Sequence, residues 1–326
     1  MRTFTSVAAV VAFAGSALGQ FQALVVDFSG SRVARYEWPS GTPVNHMVAN
    51  GISTLSGARG SALGTAGDLF VTSYNTDTVL RFDGQTGQPR GIFVTAASGG
   101  LNGPTALAFG PDGNLYVASS VNDLILKYDG QTGTLLSTFS TGPQVDQPEG
   151  IAFGPDNNLY VCSYLTDTVA RFNGFTGAFI DFAITAGQSG LNGPAGVLFD
   201  AGGRMYVSGG LSNSVIVKDP VAGVSVLATS ATAAGMTTPY HMAIAPDGTL
   251  CVAAFGSGAI TRLNRTTGAY LGNFLQPGAG GISADPWAIL FVSGGCYANC
   301  DGSTVAPALN VADFVCYLNK FAAGCS

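Results

Sequence analysis

The chain copies itself at a fixed period. Pro104-Thr-Ala-Leu-Ala-Phe-Gly-Pro-Asp-Gly-Asn-Leu-Tyr-Val117 returns as Pro148-Glu-Gly-Ile-Ala-Phe-Gly-Pro-Asp-Asn-Asn-Leu-Tyr-Val161, and two weaker copies open at Pro194 and Pro239. Equivalent apolar residues stand at Leu24, Leu69, Leu115, Leu159, Met205 and Leu250, so the steps are 45, 46, 44, 46 and 45 residues. A unit of that size buries its apolar face only against neighbouring copies, and the period matches a four-stranded propeller blade.

Strands are legible inside each unit. Leu107-Ala-Phe109 is an apolar run, Pro111-Asp-Gly113 a turn, and Leu115-Tyr-Val117 a second run. Val79-Leu-Arg-Phe82 and Leu124-Ile-Leu-Lys-Tyr128 read as third strands. Asp83-Gly-Gln-Thr-Gly87, Asp129-Gly-Gln-Thr-Gly133 and Asn173-Gly-Phe-Thr-Gly177 then make hairpins in which Gly supplies a positive φ. An outer strand such as Leu135-Leu-Ser-Thr-Phe139 completes the blade.

The first copy, Ala23-Leu-Val-Val-Asp-Phe28, begins at a second strand, and Pro286-Trp-Ala-Ile-Leu-Phe291 is an inner strand without a blade of its own. The two complete each other and remove the open edges. Residues 20–293 are therefore expected to form an all-β, six-bladed β-propeller closed by one composite blade. These repeats resemble the NHL-type and streptogramin-lyase-like propellers over residues 21–293. That resemblance implies the fold, and a functional range running from lactonases and lyases to pure binding modules.

Composition agrees with an all-β chain: 46 Gly and 15 Pro accompany only 10% charged residues, and Glu37 and Glu149 are the two glutamates. The net charge of −6 comes without any basic cluster, which excludes the electrostatic footprint of a phosphate-backbone binder. Arg2, an apolar run from Val7 to Ala17, and Ala17-Leu18-Gly19 have the order of a secretory signal, expected at residues 1–19. That run is short of the roughly 20 residues that span a bilayer. The expected product is secreted, and extracellular or associated with a cell surface.

From residue 294 the composition shifts. Cys296, Cys300, Cys316 and Cys325 fall within the last 33 residues, as in a small exported module held by disulfides, with three pairings open. Asn299-Cys-Asp301-Gly302, followed by Leu309-Asn310-Val-Ala-Asp313-Phe314, resembles half of a dockerin, a calcium loop of EF-hand type followed by a helix. The resemblance places Asn299, Asp301, Asn310 and Asp313 on calcium ligand positions and implies a surface or assembly partner. The same residues also read as a helix start, with Asn310 as cap, Asp313 in the first turn, and Phe314, Leu318 and Phe321 as the apolar stripe. Cys162 and Cys251, inside repeat strands, read as core thiols.

Chemistry is sought at the channel mouth, where loops enter the innermost strands. Counting from the repeat proline gives Arg59, Thr105, Glu149, Ala195, Tyr240 and Trp287, with His241 beside Tyr240. Arg59 and Glu149 are the formal charges of this ring and can neutralise each other. Tyr240 and Trp287 offer large faces with polar edges to a protein, peptide or glycan. The expectation is a binding or scaffold module using Arg59, Glu149, Tyr240, His241 and Trp287. Its rival is a metal-dependent lyase or lactonase with Glu149 and His241 as acid and base. Asp77, Asp123, Asp167 and Asn213, each eight after its repeat apolar residue, recur with the blade and read as turn-capping residues.

Overall fold

The computed structural model describes residues 21–293 other than 52 and 284. The signal expected at 1–19, the Cys-rich segment at 294–326, its four cysteines and its calcium positions Asn299, Asp301, Asn310 and Asp313 lie outside the described residues. The described chain makes six four-stranded sheets. In five of them consecutive strands run from the axis outward, as in Pro104–Phe109, Leu115–Ser119, Leu124–Tyr128 and Leu135–Thr141. The composite sheet places Pro286–Ser293 beside Phe21–Asp27, followed by Arg32–Glu37 and Pro43–Val48. The fold is a six-bladed β-propeller, and among the described residues its only helical pieces are single 3₁₀ turns, which the repeat did not announce.

The core lies between blades. Ala106, Tyr116, Ile125 and Phe139 of one blade pack on Ile151, Leu159, Val161 and Phe172 of the next. The closing seam repeats this packing, with Ala23, Val25, Tyr36 and Ile289 against Cys251, Ala253, Ile260 and Phe274. Cys162 and Cys251 are free thiols with no exposure, and burial pushes both thiols up.

The Asp77 series does more than cap a turn. Asp77, Asp123, Asp167 and Asn213 all adopt a left-handed backbone, with φ of 54°, 59°, 58° and 50°. Each then accepts, through Oδ1, the N–H of the residue preceding the next blade's repeat proline: Gly103 at 2.7 Å, Gln147 at 2.8 Å, Gly193 at 2.7 Å and Thr238 at 2.7 Å. In the composite blade the Ser31 hydroxyl takes that place, accepting from Gly57 N–H at 3.0 Å. At the sixth seam Gly258 occupies the position and has no side chain to offer. There the fully buried Asp27 accepts Ser283 N–H at 2.9 Å and pairs with Arg32 at 2.8 Å. Clasps of this kind hold loops that the strand ladders leave unsupported.

Candidate functional site at the channel mouth

One register shift sets the geometry of the mouth. Between Pro148 and Ile151 the inner strand has one residue more than its partner, which runs from Ser163 to Val161, and equivalent shifts follow Ala58, Pro104, Pro194 and Pro239. A β-bulge re-aims the side chains it contains. The bulged residues are Arg59, Thr105, Glu149, Ala195, Tyr240 and His241, together with the residues beside them, so the repeat itself assembles the ring inferred from the sequence.

The structure brings Arg59, Glu149, Tyr240, His241 and Trp287 together, and they meet each other more than they meet solvent. Arg59 Nη1 lies 3.5 Å from Glu149 Oε1, two blades away. The Arg59 guanidinium sits 3.6 Å from the Tyr74 ring centroid and 4.1 Å from that of Trp287. Trp287 stacks on Tyr240 at 4.0 Å and 20°, while Phe28 and Phe255 close around it. The side chains of Tyr240 and Tyr164 are electrostatic neighbours, and burial pushes both phenols up. Trp287 is 3% exposed and Glu149 2%, so both are components of a packed floor.

Burial dominates the electrostatics. Glu149 accepts a 3.1 Å hydrogen bond from Gln147 Nε2 in addition to its contact with Arg59, yet its Oε2 is buried without a partner. Desolvation holds its carboxyl above the usual carboxylate range, with Arg59 and Gln147 opposing the shift. Desolvation likewise lowers the Arg59 guanidinium against the attraction of Glu149, though not enough to deprotonate an arginine. Buried pairs of this sort are costly to break singly.

One layer deeper, the inner strands carry Gly60, Ala106, Gly150, Gly196 and Ala288, and only the sixth strand has a large side chain, His241. The small residues reflect close approach: a Cβ on Gly150 would meet the Ala195 carbonyl oxygen at 2.5 Å, and one on Gly196 would meet that of Tyr240 at 2.5 Å. His241 borders a cavity of about 140 Å³ with Ser61, Ala106, Gly150, Gly196 and Ala288. Part of its surface faces that space, but protein atoms surround the imidazole, and burial lowers its pKa to about 4. The polar group of Glu149 that faces the imidazole is its backbone and not its carboxylate, and Nε2 is buried without a partner. Among the described residues no three His, Cys, Asp or Glu side chains form a group able to hold a metal.

Sequence reasoning missed two parts of this face. Tyr74, Tyr164 and Phe255, each five after its repeat apolar residue, supply the aromatic rings around the floor. Val121, Leu165 and Leu211, each six after it, are 54%, 59% and 56% exposed on three consecutive blades. Their backbone N–H groups bond to the Asn102, Asp146 and Asn192 carbonyls, which fixes the loops that present them. The signal was available as an apolar residue inside an otherwise polar turn such as Tyr164-Leu-Thr-Asp167.

Fold and mouth together define the class: a six-bladed propeller with a densely packed, aromatic-lined face at one end of its channel. Solved structures share that fold. A chain of the nidogen/laminin complex matches at a TM-score of 0.67 and 14% identity, over 84% of this chain and 99% of that one. Streptogramin B lyase matches at 0.57 and 16%, over 73% and 76%. A catalytically inactive virginiamycin B lyase from Staphylococcus aureus with quinupristin matches at 0.58 and 13%, over 82% and 88%. At these identities the likeness is one of fold. No family model matches the chain, and no curated protein matches its sequence. Among the described residues no helix is long and apolar enough to cross a membrane.

Proposed function

We propose that this chain is a secreted binding or scaffold module whose mouth face takes a protein, peptide or glycan ligand. The observation that carries the reading is the packing of the mouth residues on one another: Arg59 with Glu149 at 3.5 Å and Trp287 with Tyr240 at 4.0 Å make a preformed floor, beside which Val121, Leu165 and Leu211 stand exposed. Rigid surfaces lose little entropy on binding, and apolar side chains held out at the same position of three neighbouring blades offer such a surface area to bury. The propeller from the nidogen/laminin complex supports protein recognition as one use of the fold. Peptide and glycan arrays probed with the full chain test the reading. Ligands whose retention falls on Leu165→Ser are expected, and arrays without any such ligand would defeat it.

A second reading rests on His241, the one large side chain in a layer of Gly and Ala, and on the buried unpartnered atoms Glu149 Oε2 and His241 Nε2. Groups left unsatisfied in this way mark catalytic sites as well as strain. Two solved lyases share the fold. Turnover of lactones or cyclic depsipeptides, dependent on a divalent ion and lost in His241→Ala, would establish this reading over the first.

The segment 294–326 we propose as a disulfide-bonded, calcium-binding module that anchors the propeller to a surface or assembly partner. Intact mass with and without reductant, together with calcium titration by calorimetry, tests it. Four freely alkylated thiols in the secreted protein, or no calcium heat, would remove the proposal.

A further inference from the structure

The mouth face has a charge pattern as well as an apolar one. It is built from the loops between each outer strand and the next inner strand, and from those joining second to third strands. Within the described residues these loops contain Asp77, Asp123, Asp146, Asp167 and Asp285, and no Lys, Arg, Glu or His. The nearest cations are already neutralised, Arg59 by Glu149 and Arg32 by Asp27. The other basic side chains, among them Arg81, Arg90, Lys127, Arg171 and Arg204, lie on blade strands or at turns of the opposite end and pair with Asp68, Asp83, Asp112, Asp181 and Asp219. The mouth face therefore projects an uncompensated negative field.

On that anionic face Val121, Leu165 and Leu211 form an arc over three consecutive blades. The equivalent position is Asn75 in the preceding blade and Gly256 in the blade beyond, so the arc covers one half of the ring. A repeat that served the fold alone would give all blades the same residue here. Leu165 has its neighbour Asp146 exposed beside it, its carbonyl bonded to the Leu165 N–H, which puts an apolar and an acidic group side by side.

We propose that the occupant of the mouth face is a cationic protein segment in which Lys or Arg alternate with apolar side chains. Its apolar groups cover Val121, Leu165 and Leu211, and its cations answer the loop aspartates. The proposal rests on the reading that this face binds, and adds the chemistry of the partner. Charge complementarity chooses this occupant over an acidic peptide or an anionic lipid surface, both of which the field repels.

The probes are fluorescent peptides of about 12 residues, enough in extended form to cross the face, with alternating Lys–Leu, Glu–Leu or Lys–Ser sequences. Anisotropy with the full chain is expected to show Lys–Leu binding at least tenfold tighter than either other peptide, and weakening as salt is raised. Leu165→Ser with Leu211→Ser should reduce that affinity tenfold or more. Asp146→Asn should reduce it a few-fold, and Ile180→Ser, on an outer strand, should leave it unchanged at matched melting temperatures. Equal binding of the three peptides, or Lys–Leu binding insensitive to the double variant, overturns the proposal. If a Glu–Leu peptide or a glycan binds and is lost in the double variant, the face binds but the cationic partner is wrong. If every peptide and glycan that binds is indifferent to the double variant, the reading of the mouth as a binding face fails as well.

Discussion

Arg59 and Glu149 reach across the channel from blades two apart to meet at 3.5 Å, at a place where Glu149 retains 2% of its exposure and leaves Oε2 without a partner. The rings of Tyr74 and Trp287 pack against the guanidinium of this pair. Single removal of either charge then strands the other.

Arg59→Met should cost about 3–5 kcal/mol, the usual penalty for leaving a buried charge unpaired. Arg59→Met with Glu149→Gln should recover at least half of that loss. Urea unfolding of the two single variants and the double measures the coupling. Additive losses would show that the ion pair has no energetic identity of its own.

Trp287→Ala should destabilise by about 3–5 kcal/mol, because a side chain 3% exposed leaves a cavity among Tyr240, Phe28 and Phe255. The melting temperature and near-ultraviolet circular dichroism should both change before any ligand is added. A variant as stable as the wild type would place Trp287 outside the packed floor.

His241 predicts a particular acid sensitivity. Its folded pKa, about 4, lies below the unfolded value of 6.5, so it contributes stability that is present above pH 6.5 and lost as pH falls through 4. Full expression of that shift is worth about 3 kcal/mol. Glu149, with a raised pKa, acts in the opposite sense: its protonation favours the fold as pH falls. Comparing wild type with His241→Gln isolates the histidine, and the stability difference should move in favour of the variant between pH 6.5 and 4. A difference independent of pH would contradict the burial of the imidazole.

Asp123→Ala should cost about 2 kcal/mol, losing a charge-assisted bond to Gln147 N–H at 2.8 Å and putting Ala at a φ of 59°. Asp123→Asn, which keeps an acceptor and tolerates that backbone, should cost less than half as much. Thermal melts of the two variants distinguish a clasp between blades from a simple turn residue, which would lose equally little in both.

Much of this molecule could be read before any coordinate. The period from Leu24 to Leu250, and the mismatch between a first copy lacking its inner strand and the isolated strand at Pro286, carry the blade number and the mode of closure, because a period counts units and a missing strand must be found elsewhere in the chain. The ring Arg59, Glu149, Tyr240 and Trp287 was legible for the same reason: each stands one residue into its inner strand, and the fold superimposes equal positions around an axis. What those residues do to one another was not legible. Only the ring's diameter and the bulges decide that Arg59 reaches Glu149, that Trp287 is covered by Tyr240, and that His241 faces the backbone of Glu149 and not its carboxylate. Periodicity records which residues are equivalent. Distance across the axis depends on the packing of all six blades at once, and so do the clasp from Asp123 to Gln147 and the exposure of Leu165, which no single repeat contains.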